Sequence, residues 1–425
     1  MSKVDYHTKV TPPYHRPGLF VLGVGVEYPP YLIEPKDVAT LARRFYPSSP
    51  ALEKVLTINE YTGIDTRSAI GNIDHPIVNQ KNAPSIAELC DLFLDHGVKL
   101  SVAACQKAIE QWGGDLSEIT HIVSTTCTNS ANPGFDHFVV KQLGLNTNIE
   151  KVLLHGIGCS GGLAALRTAA NIALGSSFRR RPARILVLAC EISSTLVRSE
   201  LDSIHNNEEV RIGATLFGDC ASAMVLGNEF SNRDGEENIL ELLGWDHRII
   251  DDTEKDLGFD VDPLGEYPIR RQVSRMLTCS GWKVVLTHRV PKMAQAAVPA
   301  MFEDLVASIP ELVDAGKLKG SDYDWALHPG GATIIQGVQS VMHLTEEHLR
   351  ASYEVYMAHG NSSSATFFSV ANRMLEGSTM EHIIGCAFGP GIAVEMMAFK
   401  RCQGQISSRP GTESPAETLV AEDVD

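Results

Sequence analysis

Cys159 lies in His155-Gly156-Ile157-Gly158-Cys159-Ser160-Gly161-Gly162, between an apolar run and an alanine-rich stretch. Glycines on both sides permit a sharp turn with backbone angles that other residues resist. A cysteine held there sits at a helix N-terminus, where unpaired N–H groups and the dipole favour the anion. A thiolate nucleophile is therefore expected. A buried cysteine that merely packs a glycine turn is the plain alternative, and the flanking glycines weigh against it. The turn is not a hydrolase nucleophile elbow, because Ile157 stands where that motif needs its first glycine.

A thiolate wants a cationic or hydrogen-bonding partner. Of the chain's 15 histidines, His328 has the most suitable context: it ends the apolar run Asp324-Trp325-Ala326-Leu327 and precedes Pro329-Gly330-Gly331. Strand ends of α/β sheets are where sites assemble, although a satisfied core histidine would look similar. Asn361 sits in His359-Gly360-Asn361-Ser362-Ser363-Ser364, which alone reads as a helix-capping loop. Taken together, the three side chains suit chemistry at a thioester. Cysteine accepts an acyl group, histidine stabilises its thiolate, and neutral donors from histidine and asparagine stabilise a developing enolate.

The elements that must hold these residues alternate strand and helix. Apolar runs predict strands at Leu19–Val26, Ile122–Thr126, Lys151–His155, Arg184–Cys190, Ala221–Leu226, Leu240–Trp245, Trp325–His328 and Gly391–Ala398. Helical patterns fit Glu34–Phe45, Ile86–Gln111, Phe135–Leu143, Gly162–Leu174, Pro291–Leu305, Ile334–Val341 and Ala365–Leu375. This alternation argues α/β with buried sheets. Thr120–Thr126 and Tyr323–His328 look alike in plan, each a strand after a helix and a polar turn, which hints at duplicated halves. Arg179-Arg180-Arg181 and the acid-rich Asp251–Asp262 read as solvated loops.

The chain has 425 residues, 44% of them hydrophobic, with 52 acidic against 36 basic residues and a formal net charge of -16. At roughly 100–200 residues per domain this length suggests about two to three domain-sized units. The acidity argues against a general nucleic-acid binder, which needs a basic face. No apolar run approaches the roughly 20 residues of a membrane span, and Met1–Phe20 lacks the apolar core of a signal peptide. A cytoplasmic protein is expected. The 9 cysteines are odd in number and show no two-residue spacing, so neither a disulfide scaffold nor a zinc site is expected.

In this setting the sequence resembles the type III polyketide synthases, the chalcone-synthase-like branch of the thiolase superfamily, from about Gly18 to Phe399. The match rests on Gly158-Cys159-Ser160-Gly161-Gly162, Leu216-Phe217-Gly218-Asp219, His328-Pro329-Gly330-Gly331, Gly360-Asn361-Ser362-Ser363 and Phe388-Gly389-Pro390-Gly391, in that order. The resemblance implies a five-layered αβαβα thiolase-like fold with duplicated halves. It divides the chain into a loose lead-in (1–17), a half carrying Cys159 (18–236), a half carrying His328 and Asn361 (237–402) and a disordered acidic tail (403–425). It makes Cys159, His328 and Asn361 catalytic and Phe217 a gate between CoA tunnel and cavity. Thr126, Cys127, Ser363 and the closing loop of Phe388, Gly389, Pro390 and Gly391 would line the substrate cavity. The implied partners are acyl-CoA and malonyl-CoA as substrates and a second copy of the chain. Asn132-Pro133-Gly134 aligns with the loop that reaches into the partner's cavity. No metal, redox cofactor or acyl carrier protein is expected.

The departures from the plant enzymes are informative. Ala387 replaces the glycine usual before Phe388. Of the basic residues that meet CoA phosphates only Lys54 remains, with Thr57 and Tyr61 at the other positions. Ser193 and Leu196 fall at cavity positions that are threonine in chalcone synthases, and Val284 falls where a second gating phenylalanine is expected. These changes suit an aliphatic starter, with Leu196 and Val284 near the entrance of its tunnel. Together with Asn59-Glu60-Tyr61-Thr62-Gly63-Ile64-Asp65-Thr66-Arg67 they look like the fungal branch, whose members make alkylpyrones and alkylresorcinols.

Rival readings fit less well. A ketoacyl synthase of fatty-acid initiation shares fold and triad, but its histidine normally precedes Gln-Ala-Asn. Hydroxymethylglutaryl-CoA synthase needs a glutamate base for which no motif is found. A cysteine-dependent thioester hydrolase lacks its expected cysteine context, and an inactive acyl-CoA-binding module would not need the triad.

Overall fold

The computed structural model describes residues 16–402, apart from residue 234 and the stretches 262–281 and 378–379. Cys279, the tail 403–425 and all but the end of the lead-in lie outside the described residues.

Arg184–Glu191 is buried along its whole length, as a strand covered on both faces must be. It belongs to a 9-stranded sheet whose order is Asp324–Leu327, His382–Gly389, Ala393–Arg401, Leu240–Ile249, Leu19–Glu27, Cys220–Asn228, Arg184–Glu191, His121–Thr125 and Glu150–Leu154. His121–Thr125 runs parallel to Arg184–Glu191, which pairs antiparallel with Cys220–Asn228, which pairs antiparallel with Leu19–Glu27. The same relations recur from Asp324–Leu327 through His382–Gly389 and Ala393–Arg401 to Leu240–Ile249. A short antiparallel register, Leu19–Val21 with Leu240–Leu242, joins the two runs. The strands after Thr120 and Tyr323 thus hold equivalent places, as their similar plan suggested.

Helices Gly161–Phe178 and Thr366–Met374 lie between the two runs. Leu163, Ala165, Leu166, Ala169, Phe367 and Val370 pack there against Val187, Met224 and Met397. Space between two sheets is narrow, so the first helix is built largely of glycine and alanine on its buried faces. Val98–Trp112 covers the outer face of one run, and Val290–Ala307 with Ala332–Val341 covers the other. The layers therefore read helix, sheet, helix, sheet, helix.

Several elements differ from expectation. His382–Gly389 is a strand, so Phe388 and Gly389 close an inner strand, and Pro390 and Gly391 form the turn after it with Ile392. Its unbroken apolar run shows no alternation to mark it. The long helix expected over Ile86–Gln111 is Ile86–Leu92 and Val98–Trp112 joined by one π turn, Phe93–Gly97. Pro50–Glu60, capped by the Ser49 hydroxyl, and Val197–Asn207 are further helices. The acidic run after Ile250 is not simply a solvated loop. Leu257–Val261 pairs with Trp282–Leu286, and Asp256 is buried, accepting from the Thr287 hydroxyl and pairing with Arg289 at 3.1 Å. No helix among the described residues is long and apolar enough to cross a membrane.

Candidate active site

Strand Glu150–Leu154 leads into His155–Ile157, then a single 3-10 turn, Gly158–Ser160, and then the central helix Gly161–Phe178. Cys159 therefore stands at the start of that helix. The glycines after it allow close approach. A Cβ on Gly161 would lie 2.6 Å from Thr125 Oγ1, and one on Gly162 would lie 2.5 Å from the Ser364 carbonyl oxygen. The helix start is thereby pressed against the turn that carries Asn361. Cys159 keeps partial exposure. Burial pushes its thiol up to about 11, against hydrogen bonds from Ser363 and Asn361 that pull it down. The expected resting thiolate gives way to a thiol, because desolvation outweighs the helix start and these donors.

His328 follows strand Asp324–Leu327, and its backbone N–H donates to the Cys386 carbonyl at 2.8 Å. It is 1% exposed, and neither ring nitrogen has a hydrogen-bond partner among the described residues. Burial holds it down to about 3, so the imidazole is neutral at physiological pH. A buried imidazole with unengaged nitrogens is a donor waiting for an oxygen.

Asn361 follows helix Arg350–His359, which Gly360 ends at φ +72°. The Ser363 N–H donates to Asn361 Oδ1 at 2.8 Å, leaving the amide nitrogen to reach the Gly330 carbonyl at 3.4 Å and the Cys159 sulfur. Gly330 is in turn bonded through its N–H to the His328 carbonyl at 2.9 Å. Asn361 thus ties the cysteine turn to the histidine segment. Phe217 lies alongside: Gly218 N–H donates to the Asn361 carbonyl at 3.0 Å, and Asn361 N–H to the Leu216 carbonyl at 2.9 Å.

Beneath the cysteine lies a carboxylate that the sequence reading missed. Glu191, fully buried, accepts from the backbone N–H groups of Cys127 and Thr128 and from the hydroxyls of Thr126, Thr128 and Ser364. Cys127 Sγ is 3.4 Å from Ser363 Oγ, so Thr126, Cys127 and Ser363 do join the site. The available signal was a glutamate closing an otherwise apolar strand.

The remaining candidates separate. A narrow apolar slot of about 50 Å³ runs behind Phe217, between Ile33, Val38, Leu41, Ile70, Ile73, Val78, Val197 and Ala214. Ser194 and Thr195 line it, whereas Ser193 and Leu196 are buried beside it. A larger cleft of about 820 Å³ is lined by Lys54, Tyr61, Val284, His288, Gly330 and Gly331. Val284 thus lines this cleft with Lys54 and Leu216, while Phe217 lines the slot. Gly389 packs on the cysteine turn, since a Cβ there would lie 2.6 Å from the Ile157 carbonyl oxygen.

The chain matches the family description "Chalcone and stilbene synthases, N-terminal domain" over residues 58–230 and the corresponding C-terminal domain over residues 269–402. It is 40% identical to "Type III polyketide synthase pspB" of Penicillium soppii, over 91% of this chain and 97% of that protein. It is 36% identical to "Acylalkylpyrone synthase csyB" of Aspergillus oryzae, over 93% of this chain and 95% of that protein. Among solved structures, a type III pentaketide synthase from Neurospora crassa superposes with a TM-score of 0.85 at 53% identity, over 91% of this chain and 100% of that one. CsyB complexed with CoA-SH superposes with a TM-score of 0.84 at 36% identity, over 90% and 100%. With matched family domains on both halves and relatives aligned over nearly their whole length, the chain belongs to the chalcone and stilbene synthase family as a thiolase-fold type III polyketide synthase, an acyltransferase that condenses malonyl-CoA iteratively.

Proposed function

We propose that the starter is a long-chain aliphatic acyl-CoA, that Cys159 carries it, and that the product is an alkylpyrone or alkylresorcinol. The Cys159 sulfur attacks the acyl-CoA carbonyl, and the oxyanion takes hydrogen bonds from the neutral imidazole of His328 and the Asn361 amide. CoA leaves as its thiol, carrying the proton displaced from Cys159. Malonyl-CoA then loses CO2, and its enolate oxygen occupies the same donors. The enolate carbon attacks the acyl-enzyme carbonyl, expelling the Cys159 sulfur. The extended chain, now on CoA, returns to Cys159 for another round and finally cyclises. CO2 release drives carbon–carbon bond formation, and the extending chain is carried between rounds as its CoA thioester.

The slot behind Phe217 carries the aliphatic reading. Branched aliphatic side chains are the largest group in its wall, and two of its polar members are held elsewhere: Arg67 by the Thr215 carbonyl and Asn59, Ser194 by Asp219. An alkyl chain entering past Phe217 gains about 0.8 kcal/mol per buried CH2, close to fourfold per methylene. The relatives' printed names, acylalkylpyrone synthase and pentaketide synthase, agree with an alkylpyrone-type product and several extensions. Mass spectrometry of products from acetyl-CoA through stearoyl-CoA tests the proposal. Long starters should dominate, and Val197→Phe should shorten the accepted chains. Val284→Phe, in the outer cleft, should weaken all CoA thioesters alike. A wild-type preference for an aromatic starter would overturn the reading.

The working form proposed is a cytoplasmic homodimer. Glu150–Leu154 is an edge strand with its outer side unpaired among the described residues, and it leads directly into the exposed His155 and Gly156 beside Cys159. Such an edge invites pairing with a second copy. Light scattering at micromolar concentration should report twice the mass of the chain, and a monomer would refute it.

A further inference from the structure

A CoA thioester ends in a diphosphate and a ribose 3′-phosphate, so its distal end needs cations. The cleft that reaches Gly330 offers few. Lys54 is its one cation from helix Pro50–Glu60. Arg211 lines the opposite wall but is engaged by Glu200 at 3.2 Å, Glu209 at 3.4 Å and the Val284 carbonyl at 2.6 Å. His288, however, lines both this cleft and a second one of about 740 Å³. In a chain of net charge -16, the described residues lining that second cleft include no carboxylate. Its cations are Arg248, Arg289 and Lys292, with the His288 imidazole beside them, and its floor is Ile249, Ile250, Met293, Ala296 and Ala297. Ile249 is 65% exposed.

We propose that this second cleft holds the nucleotide end of the CoA substrate, with Lys292 as its principal phosphate anchor and the apolar floor under the adenine. The proposal rests on the reading of the protein as a condensing enzyme for CoA thioesters. Arg248 is paired with Asp304 at 2.9 Å and with Asp246 at 3.7 Å, and Arg289 is paired with Asp256 at 3.1 Å. Lys292 has no ion pair among the described residues and is therefore the free charge. Arg289 and Lys292 stand three residues apart at the start of helix Val290–Ala307, a spacing that sets two side chains next to each other. The cations that the helix of Lys54 lacks at Thr57 and Tyr61 are thus supplied from a different element, across the mouth of the channel.

The test compares two thioesters of one acyl group. With malonyl-CoA, Lys292→Ala should lower kcat/KM about ten- to hundredfold, the effect expected of one charge-assisted hydrogen bond to phosphate. Lys292→Glu should lower it further. With malonyl-N-acetylcysteamine, which has no nucleotide, both variants should match the wild type. Added salt should likewise raise the wild-type KM for malonyl-CoA and leave the shorter thioester unaffected. Equal losses on the two thioesters would assign Lys292 a structural role and overturn the proposal, as would unchanged kinetics on both. A wild-type protein that extends neither thioester would overturn the condensing-enzyme reading itself.

Discussion

Gly158 and Pro390 approach so closely that a Cβ on Gly158 would lie 2.6 Å from Pro390 Cδ, and Gly158 holds φ +57°. The nucleophile turn of one half is thus seated on the turn that follows Phe388 and Gly389 in the other. Gly158→Ala meets both a steric and a conformational penalty, together about 2–4 kcal/mol. Its melting temperature should fall, and acylation of Cys159 should drop more than tenfold because the sulfur is displaced. Wild-type acylation by Gly158→Ala would show that this contact does not position the cysteine.

Burial sets the ionisation of the nucleophile. With the Cys159 thiol up at about 11, its thiolate fraction rises with pH through the whole neutral and mildly alkaline range. Iodoacetamide modification of Cys159, followed by peptide mapping, should climb about tenfold per pH unit between roughly pH 7 and 10 without a plateau. A plateau below pH 8 would mean that the proton passes from Cys159 to His328, making an ion pair that the burial of each group opposes.

The Asn361 amide has one orientation imposed on it, because the Ser363 N–H engages Oδ1. Asn361→Ala removes a donor to the developing oxyanion, a loss on the order of 10²–10³ in rate. Malonyl-CoA decarboxylation and acylation of Cys159, whose oxyanions share this donor, should both fall by about that factor with the melting temperature unchanged. A lowered melting temperature would point to collapse of the Gly360–Ser364 turn instead.

Glu191 meets only donors: the N–H groups of Cys127 and Thr128 and the hydroxyls of Thr126, Thr128 and Ser364. Glu191→Gln would turn an amide N–H toward them, leaving buried groups unsatisfied at about 1–3 kcal/mol each. Chemical denaturation should report that loss, and binding of starter should weaken with it. An unchanged midpoint would mean that the network rearranges around glutamine at no cost.

The residues of the triad were legible because their constraints are local. A glycine turn before a helix, a histidine closing a buried strand and an asparagine in a capping loop each mark a backbone geometry within a few residues. The strand–helix alternation and the similar strands after Thr120 and Tyr323 were legible for the same reason. Glu191 was not, since its partners run from Thr126 to Ser364 and meet only when the central helix docks between the two runs of strands. Nor was the strand that carries Val284, which forms only where Leu257–Val261 pairs with Trp282–Leu286. The neutrality of Cys159 and His328 is likewise a tertiary result. Residue type and helix start argue for a thiolate, while desolvation is summed over every group that excludes water from the site, and only the folded chain brings those groups together.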